Sequence, residues 1–597
     1  MQWSSLPLEV RLYVLNCLDL RELLCLRRVC KQLCSIIDTE TNLQSTITLG
    51  TSGVISNPYS SLLPAQKLEL LKIADTAWTN LHWTRRIDVP SILIKEVVGL
   101  SDGILFYTTY DDTTESESES SDGYNSDDTS PTKLSYIRLP SRRDLKPMHG
   151  PTLNLNFTVK SFAFDAARDL MILAEMCYNR IEKVSNKHSV MINLHILSIT
   201  TNMEHPDSHQ AQISQFFHVY CTGYGLNIKI CGNHVGVLLS KPEADGADKF
   251  YILDWTTGTR KAMMHSKDTG EVWQSFCFLA ADAILLPDSL KGALNVYFFD
   301  ANPDSIKHAA AVILPQTKRQ PGLGSMKVAS EPPPAAFTDA RSPLVDPPPF
   351  VADPESTLVV VKLIYHNPRE GIWGAPQVIT QFVVLSRRTL LTLGRNVIKL
   401  IQRESQVETP GSPLKKYDLK QRVCFPAEGG WVYHSQWGLD FPFCHHSFFV
   451  HGTRLLNITT DIFDPLGSEH GPPGPISASI FDFNMFNERR GIKFLEENVR
   501  PIPDVPDSEW NEDMDWDWDS DTGKMRWPVL QSRVFKNRPN IVDLPEVFCK
   551  PFFTALSYRS VRTERILDWN FALIDGERII GFSDSDDNHR DIDVIVL

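Results

Sequence analysis

The sequence lacks a long hydrophobic run: no stretch of its 597 residues approaches the roughly 18 apolar side chains that a membrane-spanning helix needs. Its N-terminus also lacks the basic flank and uninterrupted apolar run of a signal peptide. We therefore expect a soluble protein of the cytoplasm or nucleus without a membrane partner. Cysteine is scarce and scattered, with 11 residues in the whole chain, so we expect reduced thiols rather than disulfides.

Basic residues are not in excess either, because the formal net charge is −14. Residues 111–129 contain eight carboxylates and residues 504–521 contain nine, and neither segment has a Lys or Arg. Without these two segments the chain carries a net charge of about +3. A near-neutral folded body with two acidic segments does not indicate a surface for nucleic acid, and we expect no nucleic-acid partner.

Helical periodicity is confined to the beginning of the chain. Val10, Val14 and Leu18 recur at helical spacing, and a second series of apolar residues runs from Leu23 to Ile37. Asp19 followed by Glu22 fits a capping box at the start of a helix, and Pro7 fits the first turn of an earlier one. We predict two or three short helices within residues 5–38.

A further amphipathic helix is predicted over residues 62–81, with Leu68, Leu71, Trp78 and Leu81 among its apolar residues. It lies within a proposed connector, residues 46–90, between a small helical domain of residues 1–45 and a large domain of residues 91–597.

After residue 90 the pattern changes to short runs rich in β-branched and aromatic residues, bounded by Gly, Asp, Asn or Pro. Examples lie at residues 104–108, 157–164, 170–174, 191–199, 234–239, 251–255, 294–299, 358–365, 378–385, 477–483, 571–574 and 592–596. Polar turns such as Asp254 to Gly258 follow several of them. We count two dozen or more such runs, with almost no helix between them, so antiparallel hairpins are expected.

The predicted fold class is therefore multidomain, α plus all-β: a small N-terminal helical domain followed by a large antiparallel β domain. Two dozen short strands are too many for one sandwich, but they divide into the four-stranded sheets of a six- to seven-bladed β-propeller. No repeating signature assigns a blade family.

Three insertions are expected to be disordered within the β domain. Residues 111–130 alternate Ser or Thr with acids and have almost nothing apolar to bury. Residues 315–354 contain ten Pro, which is typical of an extended loop. Residues 501–523 combine nine acids with three Trp, and this segment either docks on a partner or folds over the β domain.

Candidate catalytic and metal-binding motifs are weak. Cys25, Cys30 and Cys34 have no His or acid arranged to complete a zinc site. Cys444, His445 and His446, with His451, could offer ligands, but adjacent residues of a strand point to opposite faces. The sequence has no Gly-x-Ser-x-Gly or His-Glu-x-x-His motif. We expect no metal, no cofactor and no catalytic residues. The alternative of an enzyme whose active site combines residues distant in the sequence stays open. A buried pair of titratable groups with perturbed pKa values, facing the channel of the propeller, would favour this alternative.

The N-terminus carries the most specific pattern in the chain. Its parts are Leu6-Pro7-Leu8-Glu9-Val10, Val14-Leu15, Leu18, Leu23-Leu24, Leu26-Arg27-Arg28-Val29-Cys30-Lys31 and Ile36-Ile37-Asp38. This pattern resembles an F-box over about 33 residues, because the Leu-Pro start and the Val-Cys-Lys close occur together at the expected distance. One departure is Leu33, where members of that family often have Trp.

The later chain is similar to the β-rich C-terminal region of a large group of fungal F-box proteins. The similar segments are residues 78–81, 136–141, 169–173, 251–255 and 575–581, in that order.

The resemblance implies a function. F-box domains bind a Skp-type linker protein, which joins them to the cullin and RING proteins of a ubiquitin ligase. The residues carried over to that interface are Leu6, Pro7, Val10, Leu15, Leu18, Leu24, Leu26, Val29 and Cys30. The resemblance therefore implies the non-catalytic substrate-recognition adaptor of an SCF-type ligase, with the β domain binding an unknown protein substrate.

Other interpretations stay open beside the adaptor. One is a scaffold or protein-binding module that uses its F-box outside a ligase, and another is the propeller enzyme. The helices could also simply pack on the β domain. A domain of about 35 residues is too small to bury so many apolar side chains alone, so a partner surface is the favoured explanation.

Overall fold

In the computed structural model, a helical N-terminal region is followed by antiparallel β-sheets. The structure describes residues 3, 6–80, 85–109, 133–180, 188–219, 224–241, 248–300, 306–315, 322–334, 347–370, 376–406, 424–425, 435–437, 449–460, 476–484, 518–519, 524–525, 531–535, 540–542, 552–554, 556, 558–562, 569, 571–584 and 589–597. None of the helices in these ranges is long and apolar enough to cross a membrane.

The N-terminal region contains five helices. They are α1 (Leu8–Asn16), α2 (Leu20–Leu26), α3 (Lys31–Thr39), α4 (Thr41–Thr51) and α5 (Pro64–Asn80). The predicted capping box is confirmed, because Asp19 Oδ1 accepts from Glu22 N–H at 2.8 Å and Glu22 Oε2 accepts from Asp19 N–H at 3.0 Å. Pro7 lies one residue before the helix, not in its first turn, because its extended backbone (ψ 151°) makes it the N-cap of α1.

Helices α1 to α4 form one helical module, residues 8–51. Its core consists of Leu15, Leu23, Leu33, Ile37 and Leu43, which are at most 7% exposed. Helix α4 was not predicted, because its Thr-rich sequence has low helix propensity. It forms because Leu43 completes the core of the module, and the proposed domain boundary at residue 45 falls inside it.

Within its described residues, the β region contains seven sheets of four or five strands. We call the first strand named below for each sheet its inner strand, and we number the sheets by the chain position of that strand. Sheet 1 consists of Glu96–Ser101, Ile104–Thr108, Lys133–Arg138, Met148–His149 and Leu153–Asn154; sheet 2 of Val159–Asp165, Leu170–Arg180, His188–Ser198 and Gln212–Val219; sheet 3 of Gly225–Cys231, His234–Ser240, Lys249–Asp254 and Thr259–His265. Sheet 4 consists of Cys277–Ala280, Ala283–Asp288, Ala293–Phe298, Lys307–Ile313 and Cys424–Phe425; sheet 5 of Gly322–Ala329, Leu358–Glu370, Pro376–Ser386 and Ser435–Trp437. Sheet 6 consists of Phe449–His451, Arg454–Thr460, Ile476–Asp482, Tyr558–Arg562 and Gln531–Phe535, and sheet 7 of Phe571–Ile574, Arg578–Asp584, His589–Val596 and Arg85–Leu93.

Smaller elements complete the structure. Three two-stranded pairs join Val54–Ser56 to Phe350–Ala352, Trp518–Asp519 to Lys524–Met525, and Asn540–Val542 to Phe552–Thr554. Short helix α6 (Ser266–Thr269) and long helix α7 (Arg387–Gln406) interrupt the strands.

The antiparallel β domain predicted from the sequence is confirmed in its coarse form. All strand pairs within the seven sheets are antiparallel except Lys307–Ile313 with Cys424–Phe425, which is parallel. The predicted turn after Lys249–Asp254 is also present: Asp254 Oδ1 accepts from Thr256 N–H at 3.1 Å, and Gly258 has φ +72°. None of the described sheets closes on itself, and the β-propeller stays a prediction.

Apolar clusters fill the spaces between successive sheets. One cluster joins each of the pairs 1 and 2, 2 and 3, 3 and 4, 4 and 5, 5 and 6, and 6 and 7. A seventh cluster joins sheet 7 to sheet 1, with Leu105 and Ile137 of sheet 1 against Ile580 and Val594 of sheet 7. The strand Arg85–Leu93, which precedes sheet 1 in the chain, pairs with the last strand, His589–Val596. The sheet contacts therefore follow a cyclic order.

Two segments differ from expectation. Helix α7 lies where almost no helix was expected, and its buried Leu390 and Leu391 pack on sheets 4 and 5. The Pro-rich segment 315–354 contains two strands, Gly322–Ala329 and Phe350–Ala352. The first of them forms because Met326 and Val328 are buried against neighbouring sheets, and the prolines lie outside this strand. Segment 111–130 lies outside the described residues, as does 501–523 apart from Trp518–Asp519.

Candidate functional site

The helical module exposes several apolar side chains. Among the residues predicted to bind a partner, Val10 is 43% exposed and Val29 67% exposed, and Pro7 and Cys30 are also exposed. Leu6, Leu18, Leu24 and Leu26 are half-buried. Leu15 is fully buried in the core of the module, beneath the surface. We call the exposed and half-buried members of this set the module face.

Sequence reasoning omitted three exposed residues of α1 from this predicted interface: Leu8, Tyr13 and Val14. Tyr13 is 73% exposed, although its aromatic ring would gain from burial. The sequence contains a sign of these exposed residues, because apolar residues lie on all sides of α1. One buried face would require fewer of them. These residues extend the apolar surface on the first helix.

Helices α1 to α3 pack on α4 and not primarily on a sheet. Val10 and Val29 stay exposed in the structure, so packing on α4 or on the β region does not account for these apolar side chains. Exposed apolar patches are typical of protein-binding sites.

The junction between the module and the β region is tightly bonded. Asn484 Nδ2 of the β region donates to Thr51 O at the end of α4, at 2.8 Å. Strand Val54–Ser56 pairs with Phe350–Ala352, and Ser52 Oγ donates to Asp75 of α5 at 2.6 Å. These bonds join the end of the module to the β region and to α5.

Helix α5 anchors on sheets 6 and 7 through Trp78. Its ring is 4% exposed and lies in the apolar cluster that joins these sheets, while its Nε1 donates to Gly576 O at 3.2 Å. The guanidinium of Arg454 lies 4.5 Å from the centre of the ring. The predicted role of the helix as a bridge is consistent with these contacts.

An interior cavity of about 480 Å³ lies where the inner strands of the seven sheets converge. Each sheet lines it with its inner strand or the residues that follow: 98–103, 162–165, 228–230, 277–278, 330–333, 450–454 and 574–578. Residues 52–54 and helix α5 line it as well. The cavity therefore lies next to the junction with the helical module.

Seven carboxylates of the described residues line this cavity, and three of them, Asp102, Asp165 and Glu331, have raised pKa values. Burial, together with the nearby charge of Asp102, raises the pKa of Asp165 to about 7, although Arg168 opposes the shift. Burial also raises the pKa of Asp102 and of Glu331, and Lys229 opposes the shift at Glu331. Sequence reasoning did not identify these residues, because their positions are far apart in the chain; only the Asp102-Gly103 turn gave a local signal.

Within the described residues, the candidate metal ligands form no metal site. Residues 444–446 lie outside the described part of the chain, and burial lowers the pKa of His451 to about 4. Cys34 Sγ donates to Asp38 at 3.3 Å, within α3. No group of three His, Cys, Asp or Glu residues in the described ranges could hold a metal ion.

Comparison with known proteins gives one family match. The family model of the F-box domain matches residues 3–44, which contain α1 to α3 and the module face. No curated protein matches the chain.

Two solved structures share only distant similarity. A europium-containing methanol dehydrogenase is 8% identical, with 70% of this chain and 88% of that chain covered and a TM-score of 0.25. A subtype N11 neuraminidase-like protein of A/flat-faced bat/Peru is 11% identical, with 51% and 94% covered and a TM-score of 0.18. These scores are too low to support any conclusion about fold or activity. The family match and the helices of the module together show that residues 3–44 of this chain are an F-box domain.

Proposed function

We propose that this protein is the substrate-recognition adaptor of an SCF-type ubiquitin ligase. The observation that carries the proposal is the F-box domain, whose module face keeps Val10 and Val29 exposed although α1 to α4 have a core of their own. F-box domains in general bind Skp-type linker proteins, and through them the cullin and RING subunits. The module face is the proposed docking surface for the linker protein.

The β region is the proposed substrate-binding part, and we propose that its seven sheets are the blades of a β-propeller. The cyclic order of the seven intersheet clusters supports this arrangement. The pairing of Arg85–Leu93 with His589–Val596 supports it as well, because this pairing would close the ring with strands from both ends of the β region. The inner strands around one cavity fit the same arrangement.

In this mechanism the protein breaks no bond itself. It would hold a substrate near the ubiquitin-loaded enzyme, which raises the effective concentration of the reacting groups. The bonded junction at Thr51, Val54–Ser56 and Trp78 supports this role, since it limits the volume through which a bound substrate can move.

The linker interface can be tested with two matched variants. Val29→Asp adds a charge to the module face, and Met203→Asp adds the same charge to the β region at an equally exposed position, since these side chains are 67% and 68% exposed. We expect Val29→Asp to abolish co-purification of the Skp-type linker protein and of cullin, because the charge would be buried without a partner. Met203→Asp should leave both unchanged. Undiminished binding by Val29→Asp would contradict the proposed docking surface.

Substrates can be sought with the same pair of variants under proteasome inhibition. Proteins that co-purify with all forms, but are ubiquitylated only with the wild type and Met203→Asp, would be substrates. If no such proteins are found although cullin is recovered, a scaffold role outside a ligase is favoured instead.

One observation favours the alternative of a propeller enzyme. Asp102 and Asp165 are a pair of titratable groups with raised pKa values that line the interior cavity. Both also have local backbone roles: Asp102 lies in a hairpin turn with φ +47°, and Asp165 accepts from Arg168 N–H as the N-cap of the 3-10 turn Ala166–Arg168. The adaptor remains the proposed function, because it rests on a family match.

A further inference from the structure

We propose that the exposed basic side of helix α7 is a docking surface for residues 504–517 of this same chain. These residues, which we call the acidic segment, contain seven carboxylates, two Trp and no Lys or Arg, and they lie outside the described residues. The contact corresponds to the alternative in which this part of the chain folds over the β domain. It does not depend on the ligase role.

The basic side of α7 is a single stripe of side chains. Its members are spaced by seven, four and four residues, which places them on one side of a helix: Arg388, Arg395, Lys399 and Arg403. All four are exposed, whereas Leu390 and Val397 are buried on the other side of the helix. At 1.5 Å per residue the basic stripe is about 22 Å long.

The described surroundings compensate only the beginning of the basic stripe. One carboxylate, Glu355, lies 3.4 Å from Arg388 Nε and 3.7 Å from Arg395 Nη1. Lys399 and Arg403, toward the other end of the helix, form no ion pair with any described residue. The second half of the basic stripe is therefore a positive surface without an anionic partner in the described part of the chain.

The insertion that contains the acidic segment begins beside this helix. The last described residue before it is Asn484, whose Nδ2 donates to Thr51 O at 2.8 Å. Two residues further along, Gly53 O accepts from Asp353 N–H at 2.9 Å, and Asp353 Oδ2 lies 3.7 Å from Arg388 Nη2. The insertion and helix α7 therefore begin at the same corner of the β domain.

The chain between this corner and the acidic segment is long enough for the contact. Residues 485–503 form the link and also lie outside the described residues. Fully extended, a link of this length spans about 60 Å at about 3.3 Å per residue, well beyond the length of the basic stripe. Because the two surfaces belong to one chain, the effective concentration of the acidic segment at the stripe is high.

The other acidic part of the chain, residues 111–129, is less well placed. It lies between the strands Ile104–Thr108 and Lys133–Arg138 of sheet 1. In the cyclic order of the sheets, two sheets separate sheet 1 from sheets 4 and 5, on which α7 packs. Position therefore favours residues 504–517 as the occupant.

The acidic segment also matches the apolar border of the basic stripe. Leu400 follows Lys399 on α7 and is 56% exposed. Trp510 and Trp516 lie among the acids of the segment, and a Trp ring can pack on both an aliphatic side chain and a guanidinium group. A segment of acids alone would match only the cations, whereas this one matches the exposed leucine as well.

The test is carbodiimide crosslinking of the full-length protein, which joins a Lys amine to a carboxylate only where the two groups are in contact. Lys399 is the reporter, and Lys146, exposed near sheet 1, is the control. A mixture of isotope-labelled and unlabelled protein separates links within one chain from links between chains. We expect Lys399 to be linked to residues 504–517 within one chain, at least fivefold more than Lys146 is. In about 1 M NaCl, which screens charges beyond about 3 Å, this link should be lost.

Three results would overturn the proposal. Lys399 could be linked only to described residues, or to residues 111–129 in place of the acidic segment. It could also be linked to residues 504–517 only between chains, in which case the occupant is a second copy of the protein.

Variants show whether the charge of the stripe holds the segment. Arg395→Gln with Arg403→Gln removes two charges and keeps the reporter, and should lower the yield of the Lys399 link at least fivefold. Lys146→Gln with Lys160→Gln changes the net charge equally at exposed positions away from α7 and should leave the yield unchanged. Thermal unfolding shows whether each variant is folded, and Arg403→Gln alone repeats the test if the double variant is unstable. An unchanged yield in the folded stripe variant would refute the contact. Val29→Asp should give the wild-type links, so a failure of the ligase proposal would leave this result unaffected.

Discussion

At the scale of single residues, aspartates organise the chain locally, and the sequence predicts part of this role. Asp19 and Asp254 were predicted in a capping box and a turn because their partners are within a few residues, and the structure confirms both. Asp165 and Asp575 also accept backbone N–H groups of the next few residues. What the sequence could not predict is the charge state of Asp165, because this depends on burial by residues far away in the chain.

This burial leads to a pH prediction for Asp165→Asn. The folded pKa of Asp165 is about 7 and the ordinary value is 3.8, so the unfolded chain loses this proton first as the pH rises. The contribution of Asp165 to the free energy of unfolding should therefore decrease between about pH 4 and pH 7. Because Asn keeps the cap and stays neutral, the variant should be more stable than the wild type at pH 8, with a smaller difference at pH 5.

Urea denaturation at both pH values checks this, since the other titrating groups are common to both proteins. A variant that is less stable than the wild type at pH 8 would show that the carboxylate of Asp165 is stabilised by contacts that Asn lacks.

At the scale of elements, strands were predicted better than helices in the β region. All twelve runs given as examples of strands overlap an observed strand, because alternating or continuous apolar residues with polar ends leave little ambiguity. Helix α7 was missed although Leu390, Val397 and Leu391 have helical spacing, since strand-like runs surround it. The strand Gly322–Ala329 was missed because the prolines on both sides dominated the composition of its segment.

Helix α7 permits a test in which packing opposes helix propensity. A Cβ added at Gly394 would lie 2.8 Å from Phe298 Cε2 and 3.2 Å from Val296 Cγ1, so the helix contacts sheet 4 closely at this glycine. Asn396 is exposed on the same helix. Propensity alone predicts that alanine stabilises both positions. We expect Asn396→Ala to stabilise by up to ~0.7 kcal/mol, but Gly394→Ala to destabilise by about 1–3 kcal/mol through overpacking.

Chemical denaturation, with hydrogen exchange of α7 as a local probe, measures both effects. A gain in stability for Gly394→Ala would mean that α7 shifts away from Phe298 at little cost, and that its contact with sheet 4 is loose.

At the scale of the whole molecule, the arrangement of the sheets could not be predicted beyond their approximate number. Counting strands predicts six to seven sheets. The cavity, however, depends on which inner strands meet. Two residues of its lining, Asp102 and Arg578, come from opposite ends of the β region. The F-box, by contrast, was identifiable from its sequence, because its pattern is local and its helices have their own core.

A closed ring of sheets differs from an open row in how it loses stability. Val594 of the last strand is fully buried between sheets 7 and 1, and Val237 is fully buried in sheet 3, so Val594→Ala and Val237→Ala remove the same groups from two distant interfaces. Each should cost about 2 kcal/mol. If the sheets form one cooperative ring, the slowest amides in all seven sheets exchange through global unfolding. Both variants should then lower the hydrogen-exchange protection of these amides by similar factors. The opposite result is a local effect. In that case Val594→Ala would lower protection only in sheets 7 and 1, and Val237→Ala would lower it only in sheet 3 and its neighbours. The sheets would then unfold independently, which would contradict the proposed propeller.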